Sequence, residues 1–75
     1  MIDLVTIEKL TLRQARQLAG KTQKETAQRF GVTTRTIHRW ESGKGFPTID
    51  VFSELCKFYG VGMDDIDLLR PKSSL

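Results

Sequence analysis

Apolar residues recur along most of the chain at spacings of three and four, the spacing that gives an α-helix one buried face. The pattern is interrupted at glycines, which are favoured just past the end of a helix. It predicts five short helices, at about residues 11–19, 23–30, 33–41, 49–59 and 63–68. The chain is therefore predicted to be all-α, with an extended arm at 1–10, one domain at 11–69 and a flexible tail at 70–75.

Two threonines are predicted to begin helices, because a Gln or Glu lies three positions after each of them. Thr11 is followed by Gln14 and Thr22 by Glu25, and both pairs match the capping box. In that motif each side chain satisfies a backbone N–H group of the other residue. Helices are therefore expected to begin at these threonines.

The helices at 23–30 and 33–41 are separated only by Gly31 and Val32. A short turn that contains glycine between two helices is typical of the helix-turn-helix arrangement. Gly31 can adopt the left-handed backbone conformation without the clash that a Cβ atom would cause. The two helices are therefore predicted to pack against each other across a tight turn.

The helix at 33–41 has two faces of different character. Ile37 and Trp40, three residues apart, are predicted to point inward. The opposite face has no carboxylate and carries guanidinium, imidazole and hydroxyl groups, contributed by Thr34, Arg35, His38, Arg39 and Ser42. A solvated face usually mixes charges of both signs, whereas these donors suit phosphates and base edges, including bidentate bonds from Arg to guanine. The pattern favours a DNA-reading helix over a solvated surface helix.

Charge is distributed unevenly along the 75 residues. Residues 1–44 contain nine Lys or Arg and four Asp or Glu, whereas residues 45–75 contain three and five. A basic half and an acidic half indicate one face for a polyanion and another for a different contact. A chance asymmetry in a small protein is the alternative.

The composition also bears on the cellular compartment. The chain has no apolar run near the roughly 20 residues that span a bilayer, and its start lacks the basic region of a secretory signal. Its single cysteine, Cys56, cannot form an intrachain disulfide and fits a reducing interior. We expect a cytoplasmic protein without membrane contact.

Residues that could perform catalysis are sparse. His38 is the only histidine and Cys56 the only cysteine, so a metal site or a Cys–His nucleophile would lack its further groups. The sequence has no spaced carboxylate pair and no glycine loop that could cradle a phosphate. We expect no enzyme activity, no metal, no cofactor and no small-molecule ligand.

A longer pattern spans the two central helices and continues beyond them. In one-letter code it reads QxxxAxxxGVTxxxIxxWExGK over residues 23–44, followed by PTI at 47–49, Leu55, GV at 60–61 and DDI at 64–66. Over about residues 12–66 the chain resembles the Cro/repressor-type (XRE-like) helix-turn-helix DNA-binding domains, and in particular the short regulators of phages and prophages. The resemblance implies a compact five-helix, lambda-repressor-like fold.

The resemblance also implies roles for individual residues. Base edges of DNA would be contacted by Thr34, Arg35, His38 and Arg39. Backbone phosphates would be contacted by Gln23, Thr33, Thr36, Ser42, Gly43 and Lys44. Arg16 and Glu41 would form an internal salt bridge that ties the first helix to the end of the third, with a free phosphate ligand as the alternative for Arg16.

Two positions depart from the family pattern. Lys21 stands where an apolar residue usually precedes the Thr-Gln pair, and it is expected to reach a phosphate instead. Thr26 stands where the second helix usually carries leucine. Both departures are expected to weaken the local apolar core.

By the same resemblance, the chain is a sequence-specific regulator of transcription, expected to act as a repressor that occupies a double-stranded DNA operator. A homodimer would place two recognition helices about one helical turn, roughly 34 Å, apart. Six apolar residues exceed the needs of a four-helix core and offer a dimer surface: Ile2, Leu4, Ile7, Phe46, Leu68 and Leu69. Alternatively, the arm and the segment at 66–69 cover each other within one chain. The alternative functions are an antitoxin-type protein-interaction module and a nonspecific nucleic-acid binder.

Overall fold

The structure is a computed structural model that describes residues 9–68. Within them the chain forms four α-helices, which are α1 Leu12–Leu18, α2 Gln23–Phe30, α3 Thr34–Glu41 and α4 Ile49–Tyr59. The all-α prediction and the first four predicted helices are confirmed, with α1 and α3 slightly shorter than expected. Residues 1–8 of the arm, Leu69 and the tail at 70–75 lie outside the described residues, so the predicted domain limits stay a prediction.

Each of the four α-helices begins after a threonine whose hydroxyl accepts a backbone N–H from the residue three positions later. This contact satisfies one of the N–H groups that the first helical turn leaves without a partner. At Thr11 and Thr22 the complete capping box is present, because Gln14 and Glu25 accept the backbone N–H of the threonine in return. The start of each helix is therefore determined by residues adjacent in the sequence.

The turn between α2 and α3 depends on the backbone of one glycine. Gly31 has φ +67°, in the left-handed region, and a Cβ built there would meet no atom within 4 Å. Glycine is therefore needed for its backbone conformation and not for space. The N–H of Val32 donates to the carbonyl of Ala27 at 3.0 Å, which closes the end of α2 and directs the chain into α3.

The prediction of a fifth helix at 63–68 is wrong. Residues Met63–Asp65 form a single 3-10 turn, after which the chain is extended and Ile66 pairs with Leu10 in a parallel β-bridge. Leu10 donates its N–H to the carbonyl of Asp65 and accepts the N–H of Asp67, both at 2.8 Å. These bonds use backbone groups that a helix would need, so the pairing with the N-terminal segment overrides the helical spacing.

A cluster of buried side chains lies mainly between α1 and α4. Its members are Leu12, Ala15, Phe52, Leu55, Cys56, Tyr59 and Ile66. Ala27 of α2 and Ile37 of α3 are also buried, and the partly buried Trp40 packs against the cluster. The α3 helix is thereby held to the domain by one face, which leaves its opposite face at the surface. None of the helices in the described residues is long and apolar enough to cross a bilayer.

The two departures from the family pattern are accommodated by specific contacts. Thr26 is fully buried, its hydroxyl donates to the carbonyl of Thr22 at 2.9 Å, and it accepts the phenolic O–H of Tyr59 at 3.4 Å. The ammonium of Lys21 lies 4.9 Å from the centre of the Phe58 ring, within the range of a cation–π contact. The polar side chain in the core is therefore hydrogen-bonded, which removes most of the cost of its burial.

Tyr59 is the only tyrosine of the chain, and burial raises the pKa of its phenol above the ordinary value, while the bond with Thr26 opposes that shift. The phenol of Tyr59 therefore loses its proton at a lower pH in the unfolded chain than in the folded chain. The free energy of unfolding is therefore expected to fall as pH rises above about 10, and to go on falling until the pH passes the raised pKa of Tyr59 in the folded state. We expect tyrosinate absorbance and loss of the helical circular dichroism signal to appear together.

The control for this prediction is Tyr59→Phe, whose stability should decline less steeply over the same pH interval. Comparing the two chains isolates the contribution of Tyr59 from that of every other group in the protein. Formation of tyrosinate near pH 10 with the helical signal intact would contradict the buried position of Tyr59.

Candidate nucleic-acid interface

The exposed face of α3 carries the four residues predicted to contact bases. Thr34, Arg35, His38 and Arg39 are all exposed, whereas Ile37 on the opposite side is only 1% exposed. The buried isoleucine fixes the rotation of the helix about its axis, so the other face cannot turn inward. The structure thus brings together two guanidinium groups, an imidazole and a hydroxyl on one surface.

The hydroxyls at the start of α3 are linked to each other. Thr33 caps the helix by accepting the N–H of Thr36 at 3.1 Å, and the two hydroxyl oxygens lie 3.0 Å apart. One of the two hydroxyls donates to the other, so one hydroxyl hydrogen remains available to a ligand. The start of α3 therefore presents a short polar ridge beside Thr34.

The loop after α3 is bonded to the helix it follows. Ser42 donates its hydroxyl to the carbonyl of His38 at 2.8 Å. Arg39 donates from Nη2 to the carbonyl of Lys44 at 3.0 Å, and the N–H of Lys44 donates back to the Arg39 carbonyl at 3.0 Å. Gly43 provides the positive φ of 76° that this reversal requires. Ser42, Gly43 and Lys44 therefore form a defined loop adjacent to the exposed face.

The two arginines of the exposed face differ in their surroundings. The guanidinium of Arg39 is bonded to the loop, as described above, whereas the guanidinium of Arg35 makes no hydrogen bond or ion pair with any other described residue. Nothing in the sequence distinguishes these two side chains, because the loop carbonyl that Arg39 contacts lies beyond the helix.

A buried ion pair lies behind this surface. Arg16 of α1 donates from Nε to Oε2 of Glu41 at 2.7 Å and from Nη2 to Oε1 at 3.3 Å. The two side chains are 11% and 4% exposed. The third nitrogen of the guanidinium, Nη1, donates to the carbonyl of Lys21 at 2.9 Å. Arg16 therefore joins the end of α3 to the segment that leads into α2.

Gln23, predicted to contact a phosphate, is also part of this group. Its side-chain Nε2 donates to Oε1 of Glu41 at 3.0 Å. The pattern of the sequence did not indicate this bond, because it joins residues 18 positions apart. We name the set Arg16, Glu41, Gln23 and the Lys21 carbonyl the polar node.

The polar node lies at the start of α2, where backbone N–H groups have no partner within the helix. The N–H of Glu25 is bonded to Thr22, but those of Gln23 and Lys24 have no acceptor inside α2. N–H groups at a helix start, with the positive end of the helix dipole, favour anions. The start of α2 therefore offers donors to an anion beside the exposed face of α3.

One carboxylate also lies at this helix start. Glu25 accepts the N–H of Thr22 at 2.8 Å, and this bond is the main reason why its pKa is lowered. Glu25 therefore stays ionised at neutral pH and contributes one negative charge near the cations of Lys21 and Lys24.

Groups for catalysis or metal binding do not converge in the described residues. No set of three or more His, Cys, Asp or Glu side chains there is placed to hold a metal ion. Cys56 is buried in the core, and burial raises the pKa of its thiol, with a further contribution from Asp65. A buried thiol with a raised pKa is a weak nucleophile at neutral pH.

The helix-turn-helix family model matches residues 12–66, which is most of the chain. The chain belongs to the helix-turn-helix family. The matched segment contains all four α-helices and the 3-10 turn, so the family assignment and the fold agree. No solved structure gives a significant match to the chain.

Two curated relatives of this helix-turn-helix chain are similar over 55 residues, 73% of its length. The HTH-type transcriptional activator BcrR of Enterococcus faecalis is 34% identical, and the alignment covers 27% of that protein. An uncharacterized HTH-type transcriptional regulator of Methanocaldococcus jannaschii is 36% identical, with 83% of that protein covered. The chain thus spans about a quarter of the length of BcrR and most of the archaeal protein. Neither name mentions a phage, so the phage likeness stays a prediction.

The polar node generates a prediction about the stability of this helix-turn-helix chain. Glu41→Ala would leave the guanidinium of Arg16 largely buried without its counter-ion, and would remove the acceptor of Gln23. We expect the free energy of unfolding to fall by about 3 kcal/mol. Urea denaturation followed by circular dichroism measures this change.

Glu54→Ala is the matched control for the Glu41 variant. Glu54 also faces two cations, Arg29 and Lys57, but these side chains are 49% to 72% exposed. Solvent screens such pairs, so the loss should be no more than about 1 kcal/mol. Equal effects of the two substitutions would show that the node does not hold the helices together.

Proposed function

We propose that this helix-turn-helix chain binds double-stranded DNA with α3 in the major groove and regulates transcription by occupying an operator. The observation that carries the proposal is the exposed face of α3, where two arginines and a histidine lie together without a carboxylate. An α-helix fits the major groove, and arginine is the side chain that most often reads guanine there. The place of action that we propose is the cytoplasm of a bacterial cell.

Specificity is proposed to come from Thr34, Arg35, His38 and Arg39. Arg35 needs to give up no described intramolecular bond to reach a base, which makes it the principal reader. Thr34 is beside the start of the helix, where it can approach a neighbouring base or sugar. His38 lies one turn beyond Thr34 and extends the reading surface along the groove.

Phosphate contacts are proposed for residues on both sides of that reading surface. They lie at the start of α2 and in the segment before it, at the start of α3, and in the loop after α3. The residues are Lys21, Gln23, Thr33, Thr36, Ser42, Gly43 and Lys44. Contacts of this kind fix the register of a protein on DNA without carrying sequence information.

Repression is the proposed direction of regulation, because occupying an operator requires only a surface that binds DNA. The name of BcrR describes a transcriptional activator, and activation is therefore the alternative direction. The alignment covers 27% of BcrR, so the similarity concerns the helix-turn-helix segment alone.

A homodimer is proposed as the form that occupies the operator. Phe46 and Ile49 are 53% and 68% exposed, and they follow α3 closely in the chain. Leu68 instead packs against the core of its own chain, and Leu10 pairs with the segment at Ile66. Among the described residues predicted for dimerisation, Phe46 is therefore the one available to a second copy.

A protein-interaction module of the antitoxin type is the second candidate. It is favoured by a separate apolar surface on α1, where Leu18 is 74% exposed beside a groove lined by Leu10, Gln14 and Gln17. Under this proposal DNA binding is secondary, and substitutions on α3 would leave partner binding intact.

Selection of bound fragments from a random DNA pool tests the main proposal. We expect enrichment of a palindrome whose half-sites are separated by about one helical turn. Phe46→Ser should shift the recovered sites from the palindrome to single half-sites, with lower affinity. The absence of any enriched sequence would contradict specific recognition and leave a nonspecific binder or the interaction module.

Arg35→Ala tests the proposed reading of bases. We expect a loss of about 1–3 kcal/mol on the selected operator and relaxed preference at one base position. Fluorescence anisotropy with single-base operator variants measures both effects.

Arg29→Ala is the matched control, because Arg29 is a half-exposed arginine whose guanidinium faces the rings of Phe30 and Phe58 and Glu54 of α4. Its effect should be small and independent of sequence. A uniform weakening of all sequences by Arg35→Ala would instead assign Arg35 to a phosphate.

A further inference from the structure

The orientation of the Gln23 side chain is restricted by the group it contacts. A carboxamide has a donor end and an acceptor end of similar shape, so an unrestrained glutamine can present either one. Glu41 Oε1, at 3.0 Å from Gln23 Nε2, belongs to a carboxylate, which only accepts hydrogen bonds. The nitrogen of the amide is therefore turned toward Glu41.

We infer that Glu41 is a positioning residue, which orients the carboxamide of Gln23 so that its second N–H faces a DNA phosphate. This inference rests on the proposed function. Nε2 carries two hydrogens, and the bond to Glu41 uses one of them. The inverted amide would direct its oxygen at Glu41, and two acceptors facing each other repel. The bond thus keeps Nε2 on the side of Glu41, with its second N–H left for an anionic ligand.

Arg16 makes this arrangement compatible with an anion. An isolated carboxylate close to a phosphate would repel it, since both are negative. The guanidinium of Arg16 bonds both oxygens of Glu41, at 2.7 and 3.3 Å, and so balances its charge. Glu41 can then restrain Gln23 without placing an uncompensated negative charge behind the phosphate site.

The same guanidinium restrains the backbone beside Gln23. Its bond to the carbonyl of Lys21 holds the residue that precedes the cap of α2, at 2.9 Å. The side chain of Gln23 and the backbone carbonyl of Lys21, two residues before it, are therefore both attached to one buried ion pair. A side chain held in this way loses less rotational freedom on binding DNA than one that moves freely in solvent.

A double-mutant cycle on DNA affinity tests the inference. The variants are Gln23→Ala, Glu41→Gln and the double variant, and the probe is a random-sequence duplex at low salt, because a phosphate contact carries no sequence preference. Gln23→Ala should weaken binding about tenfold, the value expected for one hydrogen bond to a charged group. Glu41→Gln should weaken binding severalfold in the native background and have no further effect when Gln23 is absent.

The control for charge is Glu54→Gln, on α4. Removing any carboxylate makes the chain more positive, which by itself favours DNA. Glu54→Gln measures that general effect, so the DNA affinity of Glu41→Gln is compared with the DNA affinity of Glu54→Gln. Circular dichroism establishes that each variant is folded at the temperature used. Equal weakening by Glu41→Gln with and without Gln23 would overturn the inference, as would an unchanged affinity of Gln23→Ala.

A measurement on the native protein without DNA decides the matter if Glu41→Gln does not fold. We expect the side-chain amide hydrogens of Gln23 to exchange with solvent severalfold more slowly than those of Gln28, an exposed glutamine of the same helix. Equal exchange of the two amides would overturn the restraint by Glu41. Failure of the native chain to bind any duplex is a different result, because it removes the proposed function before any variant is compared.

Discussion

The buried ion pair between Arg16 and Glu41 is the contact on which the arrangement of the other elements depends. Burying two charges costs several kcal/mol per ion unless the charges are paired and further hydrogen bonds satisfy their remaining groups. Among the described residues, the guanidinium has three acceptors and the carboxylate has three donors. Such a pair tolerates little displacement, so it specifies the relative position of α1, the start of α2 and the end of α3.

The apolar core and the polar node therefore constrain different parts of the proposed DNA-binding surface. Ile37 and Trp40 hold the inner face of α3, and through it the direction in which Arg35 projects. The node holds the start of α2, and through it the donors of Gln23. Neither constraint substitutes for the other, because burial of apolar surface is non-directional whereas hydrogen bonds fix orientation. A small domain with few core residues gains a defined surface by combining them.

Features determined by neighbouring residues could be predicted from the sequence. The caps at Thr11 and Thr22, the turn at Gly31 and the two faces of α3 all follow from spacings of a few residues. The helix predicted at 63–68 was wrong because Leu10, distant in sequence, pairs with the backbone of that segment. The bonds of Gln23 to Glu41 and of Arg39 to the Lys44 carbonyl could not be predicted, since they depend on side-chain positions after folding.

The bond between Arg39 and the loop also bears on how the proposed reading surface divides its work. An exposed hydrogen bond of this kind contributes roughly 0.5–1.5 kcal/mol, whereas a bidentate contact of arginine with guanine discriminates by about 1–3 kcal/mol. Arg39 can therefore leave the loop for a base, but only part of the gain remains after its bond to Lys44 is lost. Arg35 has no such bond to exchange among the described residues. Two identical side chains on one helix face would then differ in the specificity they confer because of a single carbonyl beyond the end of the helix.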